Sequence, residues 1–261
     1  MEIMQKLRNA HSFLFFFMIV ITPNFIISQS YSDAETIKNG VWSDYETNHG
    51  AYYYAYSPYS TAYSKVTSYI YLPPSLNTNG GNRNAFISFG IRGYNGFIDM
   101  GIMNSGEGWK PVYCDNGSLQ SFPEYAGISN VKIVGIEIEV LSTRKVVFSL
   151  SFRDSQLNIL KSFSVVISAK HIIEYENGKP KFRFYRFASL VNLDTIPDDQ
   201  NDQTYMINGI FTGLVIVVNG VGRSWGISSD YIEIAWKVSP QRIEFSHAND
   251  HESFSIKHYR Q

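Results

Sequence analysis

The clearest alternation of apolar and polar positions lies in residues 130–168, where an apolar residue occupies every second position for three stretches in succession. A period of two is typical of strands in a sheet that has one face in a core and the other toward water. The turns at residues 142–144 and 154–156 are short and polar, and such turns connect antiparallel neighbours. The segment therefore predicts an antiparallel meander of three strands.

The same alternation predicts further strands on both sides of this meander. Residues 85–91 and 97–103 form a hairpin pattern around the Gly-Tyr-Asn-Gly turn at 93–96. The other predicted strands are residues 65–72, 181–193, 209–218, 224–238, 242–246 and 253–259. No segment has a convincing helical period. Regular strands with Gly- and Asn-rich turns predict an all-β fold, an antiparallel β-sandwich of the jelly-roll type in a single domain.

The N-terminus has the pattern of a secretory signal peptide. Lys6 and Arg8 precede an apolar run at residues 13–21, which polar residues and Pro23 end. We place cleavage after Ser28 or Ser30, so that residues 1–30 are the leader and 31–261 the mature domain. A membrane anchor is the alternative, but a span needs about 20 apolar residues. The sequence thus predicts a secreted, extracellular protein with no membrane span in the mature chain.

The amino-acid composition limits the classes of partner that the protein is expected to bind. The formal net charge is −1 and 17% of residues are charged, which gives no electrostatic footprint for nucleic acid or for an acidic membrane surface. Cys114 is the single cysteine, so no intramolecular disulfide can form. It is either a small buried apolar residue or a reactive thiol. The chain carries 18 Tyr, 18 Phe and 4 Trp, and this many tyrosines favour surfaces on which a flat ring with a polar edge is useful.

One stretch carries a family resemblance. The strand FIDMGIM at residues 97–103, the Gly-rich turn, WKPVY at 109–113 and the following meander resemble the concanavalin A-like secreted jelly rolls, which include lectins and glucanases. The resemblance implies two facing sheets, one of them curved into a groove that binds carbohydrate. In the glycosidases of this group the catalytic acids occupy a Glu-x-Asp-x-x-Glu run on a strand facing the groove. Here Glu137 and Glu139 match the first two acids, and Ser142 replaces the last.

Glu137 and Glu139 are the candidate catalytic residues, because side chains two apart on a strand point the same way. Glycoside hydrolysis uses two carboxyl groups about 5 to 10 Å apart. Asp99, Glu174 or Glu233 could complete such a pair from a neighbouring strand. The alternative is a solvated strand face on which glutamates pair with Lys or Arg across the ladder.

Aromatic residues and carboxylates on predicted outward faces or strand ends are the candidate ligand-binding residues. Flat rings cover the C–H faces of sugars while carboxylates bind hydroxyl groups, and exposed rings in one patch mark binding sites. Tyr52, Tyr54 and Tyr56 also share one strand face, as a stacking platform or as an aromatic edge strand. In the alternative interpretation several of these rings are buried by the second sheet. The ligand-binding set is Tyr69, Tyr71, Asp99, Trp109, Tyr113, Tyr185, Tyr231 and Glu233.

An acidic loop is the candidate calcium site. Its carboxylates offer the hard oxygen ligands that Ca²⁺ prefers, although the spacing differs from that of a helical calcium loop. An ordinary solvated loop is the alternative, and no other cofactor is expected. The candidate calcium ligands are Asp194, Asp198, Asp199 and Asp202.

These observations predict a secreted protein that binds carbohydrate or another cell-surface or extracellular polymer without catalysis. The first alternative is a polysaccharide-degrading glycosidase or lyase that uses Glu137 and Glu139. The second is a structural or adhesive secreted protein.

Overall fold

A computed structural model describes residues 50–78, 84–93, 96–142, 145–169, 174–176, 179–191, 204–238, 242–248 and 251–257. Its regular elements are almost entirely strands, with a short 3-10 turn at Pro123–Tyr125. The first strands are β1 (Gly50–Tyr56), β2 (Tyr63–Tyr71), β3 (Ser75–Asn77), β4 (Asn84–Arg92), β5 (Phe97–Asn104), β6 (Trp109–Asp115), β7 (Ser118–Ser121), β8 (Ile133–Ser142) and β9 (Lys145–Arg153). The others are β10 (Ile159–Ser168), β11 (Glu174–Glu176), β12 (Lys179–Lys181), β13 (Arg183–Val191), β14 (Tyr205–Val218), β15 (Val221–Ser224), β16 (Ile234–Val238), β17 (Ile243–Ala248) and β18 (His251–Lys257).

Two antiparallel sheets form the sandwich. The seven-stranded sheet has the order β16-β1-β13-β4-β5-β6-β7. The nine-stranded sheet has the order β10-β9-β8-β2-β14-β18-β17, and β3 and β15 also pair with β14. A separate two-stranded ladder joins β11 to β12. The predicted fold class, a single-domain antiparallel β-sandwich, is confirmed.

The core lies between the two sheets because each strand turns alternate apolar side chains inward. In β5 the inward residues are Ile98, Met100 and Ile102, and in β9 they are Val146, Phe148, Leu150 and Phe152, all fully or almost fully buried. Removing such side chains from water stabilises the fold by about 1.5–3 kcal/mol each. The same alternation determines which side chains point outward, and polar side chains lie on those outer faces.

The predicted meander is confirmed. Strands β8, β9 and β10 pair in sequence, with Ile138 opposite Phe148 and Phe163 opposite Leu150. The predicted hairpin is also confirmed, since β4 and β5 pair along their whole length.

Residues 224–238 differ from the expectation of one long strand. Strand β15 ends at Ser224, and the indole nitrogen of buried Trp225 donates a hydrogen bond to the carbonyl of Tyr231, 3.1 Å away. This local link holds a non-strand segment in place before β16 begins on the other sheet. The described residues contain no helix long and apolar enough to cross a membrane.

Candidate functional site

Strand β13 is the centre of the candidate site because it is hydrogen-bonded to β1 on one side and β4 on the other. In-register antiparallel pairing aligns residues of neighbouring strands into rows across the outer face of the seven-stranded sheet. We call the row that crosses this face through Asp99 the acid row. Its members, from β6 to β1, are Cys114, Asp99, Gly90, Tyr185 and Tyr56.

The rows beside the acid row differ in chemistry. On one side Arg92 of β4 lies directly opposite Arg183 of β13. On the other side two rows carry mainly aromatic and small residues. The first of them contains Val112, Gly101, Ser88, Phe187 and Tyr54, and the second contains Lys110, Met103, Phe86, Ser189 and Tyr52. The face is therefore basic at one end and aromatic at the other, with a carboxyl group between.

An aromatic patch, separate from the main core, covers this outer face. It consists of Tyr54, Tyr56, Phe86, Tyr185 and Phe187. The ring of Tyr54 stacks on Tyr56 at 5.9 Å and on Phe187 at 5.2 Å, and Tyr56 stacks on Tyr185 at 5.1 Å. Such pairs fix ring orientation in addition to burying apolar area. The patch thus forms a rigid wall beside Asp99.

Gly90 explains how Tyr185 reaches Asp99, which is two strands away. A Cβ atom on Gly90 would lie 2.2 Å from Cζ of Tyr185, so the phenol ring crosses β4 over the space that the glycine leaves. The Tyr185 hydroxyl donates a short hydrogen bond to Oδ1 of Asp99. Any larger residue at position 90 would displace the ring from this path.

The surroundings of Asp99 raise its pKa to about 6, because burial penalises the charged form more than its partners favour it. The hydrogen bond from Tyr185 and the charge of Arg92 act in the opposite direction and lower that pKa. Burial and the nearby Asp99 charge raise the pKa of Tyr185 well above its ordinary value, so the phenol keeps its proton. Burial and Asp99 also raise the pKa of the Cys114 thiol. A carboxyl group with a pKa near 6 can accept or release a proton near neutral pH.

The raised pKa makes a stability prediction. Asp99 binds its proton more tightly in the folded chain than in the unfolded one, so its contribution is fully present below pH about 3.9 and is lost as pH rises through about 6. Between pH 4 and 7 the free energy of unfolding of the native chain should therefore fall by about 2 kcal/mol relative to Asp99→Asn. Urea unfolding of both proteins at several pH values measures this difference. Parallel pH profiles for the two proteins would contradict it.

Three of the predicted ligand-binding residues come together at this site. Asp99 and Tyr185 form its central hydrogen bond. Glu233 lies at the basic end, with Oε2 3.6 Å from Nη1 of Arg183.

The other predicted ligand-binding residues lie elsewhere. Tyr69 and Tyr71 are on the nine-stranded sheet, where Arg153 lies over the Tyr69 ring at 5.6 Å. Trp109, Tyr113 and Tyr231 are partly buried and pack against the main core. The structure therefore does not gather the predicted set into one sugar-binding platform.

Glu137 and Glu139 share a face of β8, as the spacing predicts, but on the nine-stranded sheet. Lys65 of β2 bridges them, with Nζ 3.2 Å from Glu137 and 3.3 Å from Glu139. This arrangement matches the alternative expectation of cross-strand ion pairs on a solvated face.

The predicted calcium ligands cannot be placed. Asp194, Asp198, Asp199 and Asp202 lie outside the described residues. Among the residues that are described, no group of three or more His, Cys, Asp or Glu side chains is arranged to hold a metal ion.

Sequence reasoning missed Gly90, Arg92, Arg183 and Phe187 as parts of one site. The alternation in β1 did indicate an aromatic face through Tyr54 and Tyr56. No pattern in the sequence indicates that β13, which lies far along the chain, pairs with β1.

The sandwich is shared with solved structures of glutamic peptidases. Scytalido-glutamic peptidase with a transition state analog inhibitor superposes with a TM-score of 0.53 at 12% identity, covering 79% of this chain and 98% of that one. The same peptidase with a peptide-based transition state analog gives 0.50 at 13% identity with the same coverage. SCP-B, a member of the eqolisin family of peptidases in a complex with the tripeptide Ala-Ile-His, gives 0.50 at 12% identity, again with 79% and 98% covered. No protein-family model and no curated protein matches the sequence.

These matches define the fold, and they correct the functional prediction. The expectation of a carbohydrate binder without catalysis came from the predicted outward aromatic residues as well as from the concanavalin A-like resemblance. The antiparallel sandwich that the resemblance implies is confirmed, but the three solved structures described above are peptidases. The prediction of non-catalytic carbohydrate binding is therefore wrong.

Proposed function

We propose that this protein is a peptidase in which Asp99 is the general acid and base. The observation that carries the proposal is the carboxyl group of Asp99, held by Tyr185 on an aromatic sheet face beside the cationic side chain of Arg92. Peptides as the substrate class are supported by the sandwich, which this chain shares with peptidases bound to transition state analogs and to a tripeptide.

Peptide hydrolysis at this site requires one carboxyl group to act first as a base and then as an acid. The ionised Asp99 takes a proton from a water molecule, and the water oxygen forms a bond to the carbonyl carbon of the peptide. Asp99 then passes that proton to the amide nitrogen as the C–N bond breaks. Tyr185 occupies Oδ1 through its hydrogen bond, so Oδ2 is the oxygen that exchanges the proton.

Arg92 favours the ionised form of Asp99 that this reaction needs. A nearby positive charge stabilises the charged form of a carboxyl group. Arg92 is exposed, lies close enough to lower the pKa of Asp99, and forms a hydrogen bond with Tyr56. The tyrosine thus orients the guanidinium toward the acid row.

We also propose that the activity is extracellular. The support is the charged start and short apolar run within residues 1–30, which have the pattern of a cleaved leader.

The pH dependence of peptide cleavage tests the proposal. We expect the purified chain to cleave a mixed peptide library, detected by mass spectrometry, with an acid limb of kcat/KM near pH 6. Tyr185→Phe removes a hydrogen bond that lowers the pKa of Asp99, so the limb should move to higher pH. Tyr205→Phe, on β14 of the other sheet, is the matched control and should leave the limb in place. The absence of cleavage at every pH from 3 to 8 would overturn the proposal.

A further inference from the structure

Two arginines lie directly opposite each other at the basic end of the site. Arg92 and Arg183 are cross-strand partners on β4 and β13. Like charges in this position repel and destabilise a sheet. Arrangements that break a local rule in this way are expected at functional or strained sites.

The aromatic neighbours orient Arg183 without cancelling its charge. Its Cζ atom lies 4.4 Å from the ring centre of Tyr56 and 4.8 Å from that of Tyr59. Cation–π contacts hold the flat guanidinium in place while leaving its edge available for hydrogen bonds.

The hydrogen bonding of Arg183 is incomplete. Glu233 approaches Arg183 at 3.6 Å and has a side chain that is 45% exposed. The buried Nε of Arg183 has no hydrogen-bond partner among the described residues. A buried donor without an acceptor is costly, so the Arg183 guanidinium is not fully satisfied by its neighbours.

The order of the rows gives the geometry of such a ligand. Residues two apart on a strand share a face and lie about 7 Å apart. The Arg92–Arg183 pair is one row from Asp99 and Tyr185, and the row of Tyr54 and Phe187 is the same distance away on the other side. An extended peptide lying along the strands would meet cationic, acidic and aromatic groups in that order.

The geometry points to a specificity determinant: Arg92 and Arg183 bind a carboxylate of the substrate, while Tyr54 and Phe86, the partly exposed rings of the aromatic patch, contact an apolar or aromatic side chain on the other side of the scissile bond. One guanidinium group matches the planar, bidentate geometry of a carboxylate, and the second adds positive charge beside it. The inference rests on the proposed peptidase function. The carboxylate is either an acidic side chain or the free C-terminus of a short peptide.

Matched peptides test this inference. Four peptides share one aromatic residue and differ by Glu or Gln at the same position, and by a free or amidated C-terminus. We expect kcat/KM to be about tenfold higher for at least one carboxylate member of a pair than for its neutral counterpart, mainly through KM. In the Arg183→Gln variant, and in the Arg92→Gln variant, which changes an exposed residue, the ratio of kcat/KM for the carboxylate peptide to kcat/KM for the neutral peptide should fall to about one. Arg223→Gln, on exposed β15 of the other sheet, is the control and should keep the ratio.

A binding measurement separates this inference from the proposed function. Affinity of the same four peptides for the Asp99→Asn protein is measured by calorimetry, which requires no turnover. A Glu-over-Gln preference assigns the acidic side chain, and an acid-over-amide preference assigns the C-terminus; either supports the inference. Cleavage of peptides with equal kcat/KM and equal affinity in every pair overturns it and leaves the peptidase proposal standing. A carboxylate preference in binding without cleavage of any peptide supports it and overturns the proposed reaction.

Discussion

Replacing Asp99 by Asn is expected to lower kcat/KM for peptide hydrolysis by about a thousandfold, within the range that general acid–base catalysis contributes. The amide has nearly the same shape and can still accept the hydrogen bond from Tyr185, so the site should keep its structure. It cannot take a proton from water or return one to the leaving nitrogen. The loss should therefore appear in kcat, with KM little changed.

Initial rates on one good substrate from the library check this result. Glu124→Gln is the matched control, since it neutralises an exposed carboxylate in the 3-10 turn, and it should behave like the native chain. Asp99→Asn protein that retains a tenth or more of the native kcat would show that another group transfers the proton.

Glu252→Gln is expected to reduce the free energy of unfolding by about 3–5 kcal/mol, because it leaves a buried cation without its counter-charge. Glu252 of β18 and Arg186 of β13 are fully buried between the sheets. Arg186 Nε and the Tyr53 hydroxyl both donate hydrogen bonds to Oε2 of Glu252, at 2.9 and 3.0 Å. The Arg186 guanidinium also lies 4.7 Å from the ring of Trp225.

Chemical denaturation of the variant and of a surface control measures this effect. Glu244→Gln breaks the exposed contact of Glu244 with Lys257 and should change stability by less than about 1 kcal/mol. Combining Arg186→Met, Glu252→Met and Tyr53→Phe removes the whole polar group and should cost less than Glu252→Gln alone. A triple variant less stable than the single one would mean that the ion pair stabilises the core beyond its own desolvation.

The parts of the fold that could be predicted are those that neighbours in sequence determine. Alternation and short turns were sufficient for β8, β9 and β10, and for the β4–β5 hairpin. Strand order could not be predicted in this way, because the pattern of β13 would suit pairing with any suitable sheet edge. Its position between β1 and β4 depends on packing across the whole sandwich, which no local pattern reports.

The same division applies to the site. Asp99 and Tyr185 were recognisable as outward polar residues, but the hydrogen bond between them joins positions 86 residues apart. Glu137 and Glu139 were correctly placed on one face, yet the lysine that binds them comes from β2, 72 residues before Glu137. Nothing in the sequence around Gly90 indicates its role, which depends on the Tyr185 ring that crosses the strand at that position.

Strand β13 is synthesised long after β1 and β4, the two strands between which it pairs, and this order has a consequence for biosynthesis. Chains are made from the N-terminus, and contacts between distant segments form slowly because long loops must close first. Until residues 183–191 join the sheet, Asp99 lies on a hairpin without its phenol partner or the second arginine. A nascent chain therefore has no assembled site until β13 joins the sheet, and the site is completed only when the sandwich closes.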